Sequence, residues 1–182
     1  MGMHQIFEGE RERREYSRVE AYLPFDCRVV APDEKDHIQS RISGNTAMAD
    51  PRPNQDMGDY DPVLGEWLKI LNAKIDTVIR LITLQREGYF GLPFKAVNIS
   101  GGGMSFSLPQ GIPMGDILEI KIMLTWHQPL AMSLYGEIVK SEPRNGSYFT
   151  AVRYVYMDEF VRDEIIRFVF EREREIIREK RG

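Results

Sequence analysis

The chain has 182 residues, 42% of them hydrophobic and 29% charged, enough for one well-cored domain with an insertion and too few for two ordinary domains. A net charge of -4 with acids and bases interspersed excludes a general nucleic-acid binder or a polybasic membrane-surface protein, so any anionic ligand must meet a local cluster of cations. Cys27 is the only cysteine, which leaves no disulfide framework and no cysteine-based metal motif, and no apolar run approaches the roughly 20 residues that span a bilayer.

Residues 1–18 read as an arm. Met1 to Arg14 is polar where a signal peptide would be apolar, so the expected location is cytoplasmic. Between residues 10 and 18 four arginines face three glutamates, too small an excess for binding by counterion release but compatible with a few well-placed guanidiniums. From Val19 the residues alternate: Val19, Ala21, Leu23, Phe25, Cys27 and Val29 on one side, Glu20, Tyr22, Asp26 and Arg28 on the other. That period of two predicts a strand closed by Pro32, with Cys27 as a small buried hydrophobe. Residues 33–60 carry Gly44, Pro51, Pro53 and Gly58 with almost no apolar periodicity and read as a long connector.

Asp61 and Pro62 supply an N-cap and a first-turn proline. Behind them Leu64, Leu68, Leu71, Ile75, Val78 and Ile82 recur at alternating intervals of four and three, a heptad seam. The helix expected over about 61–87 would be roughly 40 Å long. Val63, Trp67, Ile70, Ile79, Leu81 and Leu84 widen the stripe, so packing on its own domain and self-association are both compatible with it; the sustained seam favours a homo-oligomer, dimer or tetramer.

Gly88 ends this rod and the remainder is β-rich. Strands are expected at 94–99, 103–108, 117–124, 130–140 and 147–156, the last two joined by Asn145-Gly146, a strong hairpin signal. With the first strand these make six, which suggests a small antiparallel barrel that closes its own edges. Asp158 is placed to cap a final helix whose face is Val161, Ile165, Phe168 and Val169, with the Glu/Arg-rich turns beyond Phe170 solvated.

For chemistry, His4, His37 and His127 lack metal-ligand spacing. Asp33, Glu34, Asp36 and His37 read as a solvated charge run. No phosphate-binding loop follows the glycine triplet, the dinucleotide fingerprint fails at Phe106, and no nucleophile has a partnered base. No catalytic residue, metal or cofactor is therefore expected, and the chain does not read as an enzyme.

Two stretches remain. Arg13, Arg14, Glu15, Tyr16, Ser17 and Arg18 precede the first strand; Asn98, Ile99, Ser100 and Gly101 to Gly103 form a turn after a strand. Asn98 and Ser100 can fix that turn through the backbone or offer donors and acceptors to a ligand. Together the stretches resemble the two motifs of the PilZ domain, a bacterial receptor module for cyclic di-GMP: Arg14 and Arg18 match Arg-x-x-x-Arg, and Asn98, Ser100 and Gly103 match Asp/Asn-x-Ser-x-x-Gly. The resemblance covers residues 11–32 and 89 to about 180. It implies a mainly β fold, a six-stranded antiparallel barrel with a C-terminal helix and an inserted coiled-coil-like helix, 1–182 forming one domain with 33–88 as the insertion. It further implies cyclic di-GMP as ligand, bound by Arg13, Arg14, Arg18, Asn98, Ser100 and Gly103, with Arg13 accompanying a second stacked ligand molecule. A PilZ subclass with helices inserted at this place assembles as tetramers. Arginine's planar fork suits such a ligand independently, because it bonds phosphate oxygens or guanine O6 and N7 bidentately and stacks on a base. The alternative is a scaffold of the same fold with a vestigial pocket. A small-barrel binder of single-stranded nucleic acid is a third reading, opposed by the negative charge. A downstream protein partner is expected but not named by these residues.

Overall fold

The computed structural model describes residues 16–44, 61–125 and 130–181. The arm before Tyr16, with Arg13 and Arg14, and residues 45–60 of the connector lie outside these. In chain order the elements are β1 (Arg18–Val29), β2 (Arg41–Ile42), α1 (Pro62–Arg86), β3 (Phe94–Ser100), β4 (Gly103–Leu108), β5 (Ile117–Met123), β6 (Ala131–Arg144), β7 (Ser147–Val155) and α2 (Glu159–Glu179). The strands pair antiparallel in the order β2-β6-β5-β1-β3-β4-β7, and a further β6–β7 pairing closes six of them into a barrel with β2 attached to β6.

Alternation builds this barrel. Val19, Leu23, Phe25, Val97, Ile99, Met104, Phe106, Ile120, Ile122 and Leu134 point inward and are buried, while their sequence neighbours face out. β1 is long because it serves two neighbours: Arg18 to Pro24 pair with β3, and Phe25 to Val29 with β5. That handover ends the simple alternation, so Cys27 is only partly buried against the core and Val29 is exposed. Asn145 and Gly146 both adopt positive φ, +50° and +78°, as a two-residue hairpin turn requires.

The connector begins with structure that residue periodicity does not reveal. A 3-10 turn over Pro32–His37 is held by the Glu34 carboxylate, which accepts from the Ala31 amide at 3.2 Å and from Arg28 at 2.8 Å. The two residues of β2 are too few to show a period. They are fixed by their surroundings: the Ser43 amide donates to the Ala131 carbonyl and the Tyr135 amide to Ser40 Oγ.

α1 starts as expected, with Asp61 Oδ1 accepting from the Val63 amide at 3.0 Å. It does not lie on the barrel. The seam residues Leu64, Leu68, Leu71, Ile75, Val78 and Ile82 are 44–55% exposed. Among the described residues it is anchored at its C-terminal end, by fully buried Leu84 packed with Tyr89, Met123 and Ala131, and Lys121 Nζ donates to the Glu87 carbonyl at 2.9 Å. α2 lies against β1 and β3, inserting Val161, Ile165 and Val169; Asp158 caps it through the Val161 amide at 2.8 Å.

Candidate ligand site where the arm meets the glycine turn

The antiparallel register of four strands sets out one outer face. Directly opposed residues share a face. One row therefore runs Arg18, Ser100, and beyond the turn Gly103 and Arg153; the next runs Glu20, Asn98, Ser105, Ala151; the third Tyr22, Ala96, Ser107, Phe149. The floor is made of small or short polar side chains because the apolar members of each strand point the other way into the core. Aromatic rings stand at its two edges, and Arg144 and Arg172 lie on its rim, forming an open groove of about 580 Å³.

Four of the six expected ligand residues fall on this face. Arg18 is exposed at the start of β1, directly across the ladder from Ser100. The Asn98 side-chain oxygen is buried at the groove and has no hydrogen-bond partner, an arrangement that normally costs about 1–3 kcal/mol and is offset when a donor arrives. Ser100 takes up the other role open to it: its hydroxyl donates to the Gly103 carbonyl at 3.0 Å and accepts from the Gly102 amide at 3.3 Å, closing the turn. Gly103 is dictated by packing, since a Cβ there would stand 2.1 Å from the Val152 carbonyl oxygen. Gly101 and Gly102 lie under the Tyr16 ring. Arg13 and Arg14 belong to the arm outside the described residues.

Electrostatics on this face are mixed. Arg153 is held by Glu137 at 2.6 Å, and Arg172 by Glu175 at 2.8 Å, both at exposed positions where such pairs are weak. The Tyr154 hydroxyl is fully buried and unpartnered; burial pushes its ionisation up, and the charge of Arg18 acts in the opposite sense. Among the described residues no group of three or more His, Cys, Asp or Glu side chains could hold a metal ion. No described helix is long and apolar enough to cross a membrane.

Arg144, Phe149 and Arg172 escaped the sequence reading. Alternation within β7 gives Phe149 a side, but only the β4–β7 register brings it to the edge of the Asn98 face, and only the packing of α2 brings Arg172 there.

A structure of a pathogenic protein from Xanthomonas campestris, described as a tetrameric PilZ domain self-assembled through a helical bundle, is similar over 90% of this chain and 91% of that one, with a TM-score of 0.60 and 21% identity. The Bacillus subtilis inhibitor of motility is similar over 90% of this chain and 52% of that one, at a TM-score of 0.48 and 12% identity. No curated protein matches. The PilZ domain model matches residues 74–171, a span that takes in Asn98, Ser100 and Gly103 and leaves the arginines of the arm outside. With more than half its length under that model and a closed six-stranded barrel beneath it, the chain belongs to the PilZ domain family.

Proposed function

We propose that this protein is a cyclic di-GMP receptor that binds the dinucleotide between the arginines of its arm and the Asn98 face, and relays occupancy to a protein partner with no bond broken. The observation that carries the reading is the register of Arg18 opposite Ser100, which delivers the end of one motif to the turn that holds the other. Arg14, four residues earlier, can be no farther than about 14 Å from Arg18 along the chain. Guanidiniums would bond phosphate oxygens or the Hoogsteen edge of a guanine, and Asn98 Oδ1 would gain the donor it lacks. Isothermal titration of the full chain tests this. Saturable binding is expected for the wild type and its loss in Arg14→Ala, Arg18→Ala and Asn98→Ala variants of unchanged melting temperature; a flat wild-type titration ends the receptor reading.

A second reading, a scaffold with a vestigial pocket, is favoured by Ser100, whose hydroxyl is already used inside the turn. Both readings include self-association through α1, as a dimer or tetramer. The exposed seam supports it, and the Xanthomonas protein is described as a tetramer built by a helical bundle.

A further inference from the structure

Three residues lie between Arg14 and Arg18, and the two that are described, Tyr16 and Ser17, are both tied down. The Tyr16 ring covers the turn: a Cβ on Gly101 would stand 2.8 Å from Tyr16 Cδ1 and 2.7 Å from Ile166 Cγ1, and one on Gly102 would stand 3.2 Å from Tyr16 Cδ2. Neither glycine has a positive φ, so the absent side chains answer to the Tyr16 ring, and at Gly101 to Ile166 as well, rather than to backbone strain. On the far side the Tyr16 hydroxyl accepts from Arg162 Nη1 at 3.2 Å, and the Arg162 guanidinium lies 5.8 Å from the ring centroid. Ser17 Oγ donates to the Glu173 carboxylate, three helical turns farther along α2. The Gly102 carbonyl accepts from the Tyr154 amide at 3.1 Å, so the surface that Tyr16 sits on is itself fixed to β7.

We infer that Tyr16 is the positioning residue of the described end of the arm: its ring, seated in the slot that Gly101 and Gly102 leave open, sets where Arg18 stands against the Asn98 face, and through Arg162 ties that position to α2. The slot explains Gly101 and Gly102, two glycines that the Ser100–Gly103 bond alone does not require. Any partner that engages α2 near Arg162 or Glu173 therefore competes for the groups that hold the arm. The ligand half of this inference rests on the receptor reading; the latch rests on geometry alone.

The test combines deuterium uptake by the free full chain over residues 16–20 and 100–104 with titration by cyclic di-GMP. Tyr16→Ala raises uptake in both segments and weakens binding by about tenfold or more, since small misplacements of binding groups carry penalties of this size. Tyr16→Phe keeps the ring and stays within about threefold of the wild type. Gly101→Ala fills the slot and reproduces Tyr16→Ala with the tyrosine still present. Unchanged uptake in both Tyr16→Ala and Gly101→Ala overturns the latch, and raised uptake with undiminished affinity overturns the positioning role. If the wild type takes up no dinucleotide while Tyr16→Ala still raises uptake, the receptor reading fails and the latch stands.

Discussion

Gly103 and Ser100 belong to the same motif and act through different physics. A methyl at position 103 cannot avoid the Val152 carbonyl without moving β7, so Gly103→Ala should lower stability by about 3 kcal/mol in urea denaturation, at the upper end of overpacking costs. Ser100→Ala forfeits two hydrogen bonds of a turn and should cost only about 1–2 kcal/mol. An equal loss from both substitutions would mean that β7 yields more readily than its ladder suggests. The motif residue types are legible in the sequence; their tasks are not. A serine in a turn can hold backbone or face outward, and which it does depends on where the carbonyl of Gly103 lands. Tyr16 is less legible still, because its partners are 85 residues away and are glycines, which carry no pattern of their own.

At the level of elements, α1 divides its apolar residues between two tasks. Leu84 is fully buried and, with Tyr89, roots the helix in the barrel; Leu84→Ala should cost about 3 kcal/mol of unfolding free energy. Leu71 and Val78 are more than half exposed. Their replacement by glutamate should leave the circular dichroism of the barrel intact and yield a smaller species in light scattering; an unchanged mass would exclude the seam as an interface. Helix and strand boundaries were legible to within a few residues, since caps, prolines, alternation and the Asn-Gly turn are local signals. β2 was not, because two residues have no period and owe their pairing to Ser40, Ser43 and the strand they meet. The heptad seam likewise left open whether the helix packs on its own domain. The answer lay in which residues are drawn into the body: among the described residues of α1, Leu84 is the one fully buried, with Arg80 partly buried one turn before it.

For the whole molecule, neutral groups shielded from water contribute to the response to alkali, among them the partly buried Cys27 thiol and the buried hydroxyls of Tyr89 and Tyr154. Burial pushes the Cys27 thiol from 9.0 to about 11 and the Tyr89 hydroxyl from 10.0 to about 12. Cys27 and Tyr89 are favoured in the uncharged form by the fold, so their contribution to stability is complete below about pH 9 and is lost as pH rises through 11 and 12, and Tyr154 acts in the same direction. The urea midpoint should therefore fall between pH 9 and 11.5, and Cys27→Ala should flatten the first part of that fall; a midpoint indifferent to pH over this range would contradict the assigned burial. Barrel closure is the pairing of β6 with β7, β2 taking only the Met132–Ser133 stretch of β6, whereas the face presented by Asn98 exists only once register joins four strands. The helix rooted at Leu84 has one further consequence. Its 25 residues make a stiff spacer of about 37 Å, joined to the barrel within a few residues of its last turn. Chains fastened along such spacers would hold their barrels at set separations. Spacer length would then set which pairs of ligands two barrels can engage at once, and so their avidity.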